Sequence, residues 1–344
     1  MKGIILGDTH FGLKSGNPAV TAFYRKVYIE WFFVQCELLK IDIIWQVGDL
    51  FDKRKTVDLA ELAEARDYFF DEAKRRRIEI VTLLGNHDIF FKNTLEVNSP
   101  ELLLKDRYDN ITILKKPTTI DGIDFIPWIC TENYTEIMEF VAESTSKYCL
   151  GHFEFKGFPM YRGMTSEHGF DPAVFKKYKK VFSGHYHTRS SAGNIEYVGT
   201  PMEMTWNDYD DPRGITLFDT ETGEQEFIQN PFTLFVKLFY DEDKPLPDPE
   251  LVRGKYARLI VEKRSDVKKY DKYLEKLNAS GPIELKTVED FTGLDGKSVQ
   301  DQKVNVKDTQ ELLSGYVDEI ETDLDKAKMK EILNSLFVEA QLME

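Results

Sequence analysis

The sequence predicts a layered α/β fold over residues 1–230, followed by a small α+β module and a helical tail. Three observations lead there. Short apolar segments rich in β-branched residues alternate with longer stretches of helical spacing in the first part of the chain. From about residue 111 the apolar segments crowd together, which calls for a mixed or second sheet. Near residue 231 the texture changes to isolated amphipathic elements separated by Pro, Asp and Gly.

KGIIL (2–6), IDIIWQV (41–47) and IEIVTLL (78–84) are nearly unbroken apolar runs, as expected of strands buried on both faces. Between them, TAFYRKVYIEWFFVQCELLK (21–40) and VDLAELAEARDYFFDEAKRRR (57–77) carry helical spacing. KYCLGH (147–152), KVFSGH (180–185) and IEYVGT (195–200) supply further strands. Residues 231–290 read as a strand, a Pro/Asp turn, and then YARLIVEKR, DVKKYDKYLEKLNAS and IELKTVED as strand, helix and strand. Residues 291–308 are polar and read as a linker. The tail, 309–344, reads as two helices with apolar stripes, one carrying Leu312, Tyr316 and Ile320, the other Ile332 and Leu336. Such a pair cannot bury both stripes on itself. It docks on another protein or packs back on its own body.

The chain is acidic, with a net charge of −15. The excess is uneven: 27 Lys+Arg face 36 Asp+Glu in residues 1–230, 15 face 14 in 231–307, and 3 face 10 in 308–344. An acidic surface is a poor long-range attractor of nucleic acid. Bound cations would reverse the local sign in a cluster of carboxylates. The start, MKGIILGDTH, is too short and polar for a secretory signal, and no apolar run is long enough to span a membrane. A cytoplasmic protein is therefore expected. Cys36, Cys130 and Cys149 lie in apolar stretches and are expected in the core.

Five clusters of ligand-type residues follow five predicted strand ends: GDTH (Asp8, His10), GDLFD (Asp49, Asp52), GNHD (Asn86, His87, Asp88), GH (His152) and GHYH (His185, His187). Five of the six histidines fall in them, and His168 stands outside. A glycine precedes the first ligand of each and lets the backbone turn where the strand stops. Sites in open α/β sheets form at the carboxyl ends of strands, so the five clusters are expected around one crevice. In an extended segment His185 and His187 would point the same way, and converging neutral imidazoles suit a metal. Each cluster alone has a plainer reading. GNHD is a turn, GH a satisfied histidine, Asp8 a cap. The set of five points to a site.

The pattern DxH … GDxxD … GNHD … GH … GHxH resembles the calcineurin-like metallophosphoesterase superfamily. GDLFDKR and GNHD are similar to its SbcD-type DNA-repair nuclease branch, the nuclease subunits of MRN-like complexes. PWICTEN (127–133), YVGTP (197–201) and DDPRGITLFDTETGE (210–224) resemble the nuclease subunits of T-even-type bacteriophages. The resemblance implies an α-β-β-α sandwich, a small cap domain over 231–290 and a C-terminal helical pair. It also implies two divalent ions. Asp8, His10, Asp49 and His187 would hold one; Asp49, Asn86, His152 and His185 would hold the other, with Asp49 shared. Mixed nitrogen and oxygen ligation suits manganese best, with magnesium or iron as alternatives. His87 would protonate the leaving group or steady the transition state. Asp52 would bond His87 or start a helix, and Asp88 would serve the turn or support a ligand.

The function implied is a two-metal DNA nuclease, exonucleolytic on duplex and endonucleolytic on single strands. It would act with an SbcC-type coiled-coil ATPase gripped by the tail, as a homodimer within a heterotetramer. The sequence carries no Walker A motif, so ATP use would belong to the partner. Leu59, Leu62, Leu102 and Leu103 are the dimer candidates. A phosphatase of the same superfamily is the second reading, weakened by the missing GDxxDRG arginine: Arg54 stands two places after Asp52. A scaffold without catalysis would need missing ligands, and every expected one is present.

Overall fold

The computed structural model describes residues 1–14, 17–161 and 164–289, and in the tail only 317, 326, 328–330 and 332. The linker 291–308 and Leu312, Tyr316, Ile320 and Leu336 lie outside the described residues. The chain divides into two compact units, Met1–Phe235 and Val236–Glu344.

Among the described residues, Met1–Phe235 carries fourteen strands. They are β1 (Lys2–Leu6), β2 (Ile43–Gln46), β3 (Glu79–Leu83), β4 (Ile111–Leu114), β5 (Thr118–Ile120), β6 (Ile123–Ile126) and β7 (Tyr148–His152). They continue with β8 (Pro159–Tyr161), β9 (Met164–Thr165), β10 (Lys180–Gly184), β11 (Ser190–Ala192), β12 (Ile195–Tyr197), β13 (Gly214–Asp219) and β14 (Gln225–Gln229). One six-stranded sheet has the order β14-β13-β1-β2-β3-β4, and a second has β11-β12-β10-β7-β6-β5; β8 and β9 form a hairpin. The first sheet is parallel from β1 to β4 and antiparallel at β13 and β14. The second is parallel at its centre and antiparallel at both edges.

The two sheets face each other across one apolar layer. Ile5, Trp45, Val47 and Leu83 of the first meet Phe125, Leu150 and Phe182 of the second. Phe218 on β13 joins the sheets: its ring lies 5.0 Å from Tyr148 and 4.9 Å from Phe182. Helix α6 (Tyr134–Glu143) covers the far side of the second sheet, with Ile137 and Val141 packed among Cys149, Phe153 and Val181.

Two long helical segments carry the other helices of this unit's first half. One runs α1 (Pro18–Arg25), a π-helical stretch Lys26–Phe32, then α2 (Phe33–Leu38). The other runs α3 (Leu59–Ala65), a π-helical stretch Arg66–Phe70, then α4 (Asp71–Arg76). Each carries adjacent phenylalanines at the end of its π turn, Phe32 with Phe33 and Phe69 with Phe70, all fully buried. An extra residue in a turn rotates the apolar stripe by about 100°, which brings such neighbours inward together. Phe69 sits within ring-contact distance of Phe11, Tyr28, Phe32, Phe33 and Phe70. A short helix α5 (Ser99–Leu104) is capped by Asn98, whose Oδ1 accepts from the Glu101 amide at 2.9 Å.

In Val236–Glu344, β15 (Phe235–Asp241), β16 (Tyr256–Lys263) and β17 (Glu284–Glu289) form a three-stranded sheet in that order. Helix α7 (Val267–Ala279) crosses over between the parallel strands β16 and β17. It buries Tyr270, Tyr273 and Leu277 against Leu238, Tyr240 and Leu259. The described tail residues are helical; Val317 is buried and Ile332 is exposed. Among the described residues no helix is long and apolar enough to cross a membrane. The three cysteines are buried and free, and burial pushes the Cys36 thiol up to about 12.

The dimer candidates separate. Leu59 and Leu102 are 86% and 74% exposed, and Leu103 is half-buried. Leu62 is buried in its own chain, which corrects its place on an association surface. The capped start of α3 turns it inward: Asp58 and Glu61 close a capping box that fixes the first turn. Leu62→Asp is expected to unfold the protein rather than split a dimer. Phe69→Ala is expected to lower stability by about 3–5 kcal/mol, read from the guanidinium midpoint. An unchanged midpoint would contradict the aromatic cluster as a core.

Candidate metal centre

All five ligand-bearing turns meet at the carboxyl ends of β1, β2, β3, β7 and β10. The approach is close enough that side chains on the glycines are excluded. A Cβ on Gly85 would lie 2.1 Å from Asp49 Oδ1. One on Gly48, whose φ is +95°, would lie 2.5 Å from His152 Nδ1. Three ligand-type residues themselves adopt left-handed backbones: His10 (φ 43°), Asp49 (φ 55°) and His185 (φ 85°). Each such residue costs about 1–3 kcal/mol, so the surrounding contacts must hold it.

Asp88 holds Asp49. Its buried carboxylate accepts from the amides of Asp49 at 2.8 Å, Leu50 at 2.9 Å and Gly85 at 2.9 Å. Asp49 Oδ1 in turn accepts from the His87 amide at 2.7 Å. Asp8 accepts from the His185 amide at 3.0 and 3.2 Å. Tyr24 donates to the carbonyls of Thr9 and His10 and fixes the turn after β1.

The side chains form two groups. Asp8, His10 and His187 present ligand atoms all within 4.8 Å of one another, and Asp49, His152 and His185 do the same. Asp49 Oδ2 lies between the groups, 3.3 Å from His152 Nε2 and 3.8 Å from His10 Nε2. Asn86 Oδ1 joins the second group, 3.0 Å from His152 Nε2 and 2.9 Å from His185 Nδ1. In the first, His10 Nε2 and His187 Nε2 are 3.1 Å apart.

The electrostatics ask for cations. Burial holds His10 and His185 well below the ordinary imidazole range, and it lowers His187 to about 4. These rings are neutral, with lone pairs turned to common points. Burial opposes charge on His152 as well, but the Asp49 and Asp8 carboxylates outweigh it and raise its pKa to about 9. Its Nδ1 donates to the Val47 carbonyl at 2.7 Å, which leaves Nε2 aimed at Asn86 and Asp49. Burial lifts Asp8 to about 7, and it lifts Asp88 to about 7 with Asp49 adding to the effect. Burial opposes charge on Asp49 too, yet His152 and His87 hold it well below the usual carboxylate range. Imidazole nitrogens, an amide oxygen and carboxylates crowded within hydrogen-bonding distance fit divalent metal ions.

The calcineurin-like phosphoesterase model matches residues 1–189. The chain belongs to that family. It is a metal-dependent phosphoesterase. Exonuclease subunit 1 of Enterobacteria phage T4 is 36% identical over 352 residues, which cover 99% of each chain. Among solved structures, an archaeal phosphodiesterase is 13% identical with a TM-score of 0.32, covering 67% of this chain and all of its own. GAP50, the anchor in the inner membrane complex of Plasmodium, is 13% identical with a TM-score of 0.40, covering 86% and 99%.

The phosphoesterase departs from the sequence expectations at Asp52 and at the GHYH segment. His87 is bonded by Asp52, but through the main chain: His87 Nδ1 lies 2.5 Å from the Asp52 carbonyl oxygen. The Asp52 carboxylate instead lies 3.5 Å from His10 Nδ1. It does not start a helix either, since Asp58 caps α3. The GHYH segment is not extended; β10 ends at Gly184 and His185 turns left-handed, which sends the two rings to different groups. Of the two roles open to Asp88, the structure places it in the supporting one: its carboxyl group bonds the amides of Asp49 and Gly85. Sequence reading overlooked Trp128, whose ring lies 5.1 Å from His185 and 5.9 Å from His152. It also overlooked the hold of Arg54 Nε on the Asn86 carbonyl at 2.9 Å. Trp128 stands in a quoted stretch, PWICTEN, but a tryptophan there signals core as readily as site.

An acid whose pKa is raised by folding favours the fold at low pH; for Asp8 that contribution is lost as pH rises through about 7. A cation needs the carboxylate and restores what is lost. Thermal stabilisation by manganese is therefore expected to be larger at pH 8 than at pH 6, read by thermal shift. Equal shifts, or the reverse order, would contradict this account.

Proposed function

We propose that the phosphoesterase is a two-metal DNA nuclease that processes ends by exonucleolytic attack on duplex and endonucleolytic attack on single strands. The observation that carries the reading is Asp49 lying between two histidine-rich groups with His87 beside them. The likeness to a phage exonuclease subunit over the whole chain supports DNA as the substrate. Asp8, His10, Asp49 and His187 are assigned to one ion, and Asp49, Asn86, His152 and His185 to the other. Manganese best suits that donor set, with iron or magnesium as alternatives. Divalent ions held there supply charge neutralisation at phosphorus and lower the pKa of the attacking water.

The chain's own residues do the rest. Asp88 and the glycine turns hold the ligands in place before substrate arrives. His87 Nδ1 donates to the Asp52 carbonyl, so the doubly protonated ring would carry on Nε2 the proton that passes to the leaving oxygen, and the ring would be left neutral. The Asp52 carboxylate lies 3.5 Å from His10 Nδ1, while Nε2 lies 3.1 Å from His187 Nε2. The Trp128 indole walls the second group.

The unit from Val236, whose described elements are a sheet and one helix, is assigned to capping the substrate. A partner is supported by the word "subunit" in the relative's name. We assign it as an SbcC-type coiled-coil ATPase bound by residues 309–344. A homodimer through exposed Leu59 and Leu102, with Leu103, completes the assembly.

Release of nucleotides from end-labelled duplex DNA tests the reading. The wild type is expected to release them in manganese. His87→Asn is expected to lose about 10²–10⁴-fold in rate while still binding metal. No release in manganese, with good hydrolysis of a small phosphoester, would contradict DNA as the substrate.

A further inference from the structure

We propose that Arg213 is the positioning residue for His187, and through it for the ion assigned to Asp8, His10 and His187. The inference rests on the metal assignment above. Arg213 carries no group that could ligate a cation, and it lies 26 residues from His187 in sequence. Yet it is 4% exposed, and a buried guanidinium persists only where carboxylates and acceptors face it; here both terminal nitrogens are engaged, while Nε has no hydrogen-bond partner.

Its planar fork divides its contacts between anchor and cargo. Nη2 donates to Asp208 Oδ1 at 2.9 Å and to Asp211 Oδ2 at 2.7 Å. Nη1 donates to Thr200 Oγ1 at 2.8 Å and to the His187 carbonyl oxygen. The His187 carbonyl also accepts from the Thr200 amide at 3.2 Å. Asp208 is itself immobilised, because its Oδ2 accepts from the amides of Met204 at 2.7 Å and Thr205 at 2.8 Å. The main chain of Arg213 is held too, its carbonyl accepting from the Asn230 amide at 2.8 Å.

The need for such a clamp follows from the local fold. β10 stops at Gly184, so no ladder holds residues 185–189, and His185 is in a left-handed conformation. The His185 amide bonds both oxygens of Asp8, which fixes neither the carbonyl nor the direction of His187. Among the described residues, the other hydrogen bond to the His187 carbonyl comes from the Thr200 amide. A lysine could replace one of the four contacts but not the fork.

The test is manganese binding to the full-length protein, followed by isothermal titration and by the Mn²⁺ electron-spin signal of the free ion. Compared are the wild type, Arg213→Met, Arg213→Lys and Asp124→Asn. The last disturbs a buried network with Thr119, Ser146 and Tyr178 that touches none of the assigned ligands, and it controls for stability loss alone. The wild type is expected to bind two ions. Arg213→Met is expected to weaken one of them by about 10–100-fold and leave the other unchanged. Arg213→Lys is expected to fall between, and Asp124→Asn to keep both. Two wild-type affinities retained in Arg213→Met or in Arg213→Lys would overturn the proposal while leaving the metal assignment standing. Equal weakening of both ions in Arg213→Met and Asp124→Asn would overturn it as a merely structural effect. A wild type that binds no pair of ions would overturn the metal assignment, and this inference with it.

Discussion

A single carboxylate, Asp49, sets the geometry of this molecule's site. It stands at a left-handed φ of 55°, immediately after a glycine at φ +95°. Glycine adopts its conformation freely and the aspartate does not, and both follow from the same requirement: the turn after β2 must push one side chain into the space between the turns after β1, β3, β7 and β10. Asp88 makes that posture possible by accepting from the Asp49 amide and from two amides beside it. The anchor is buried, and burial with the nearby Asp49 raises its pKa, while the amides it accepts from oppose that rise. The charge is kept where it is useful, on Asp49, which His152 and His87 hold ionised against burial.

The two facing sheets serve that arrangement. Their parallel centres put five strand ends on one edge, and the antiparallel strands β13 and β14 extend the first sheet without adding ligands. The apolar layer between the sheets and the aromatic cluster around Phe69 provide the rigidity that strained turns need. An acidic chain remains a poor attractor of DNA at long range. The site answers part of that objection locally, because cations among Asp8 and Asp49 reverse the sign where a phosphate would sit.

Much of this was legible in the sequence for a physical reason. A glycine followed by Asp, Asn or His at a strand end has plain structural uses one at a time, but five in one chain point to one edge. The near-continuous apolar runs at residues 2–6, 41–47 and 78–84 identified the buried strands. What stayed hidden depends on backbone geometry and on distant partners. Periodicity assumes one residue spacing per turn, so the π-helical stretches at 26–32 and 66–70 were invisible. Spacing could not say that Asp52 meets His87 through its carbonyl, since every residue has one. Leu62 and Leu59 share a helix and an apolar character; only packing shows one buried and the other exposed. Arg213 lies in a stretch rich in aspartates, where an arginine reads as an ordinary surface charge until its burial is seen.

The central claim is that Asp49 is shared between two ions. Anomalous X-ray diffraction from crystals grown with manganese tests it most directly. The account predicts two peaks about 3.5–4 Å apart, with Asp49 bonded to both and the Asp8 and Asn86 groups divided between them. One peak, or two ions of which only one touches Asp49, would contradict it.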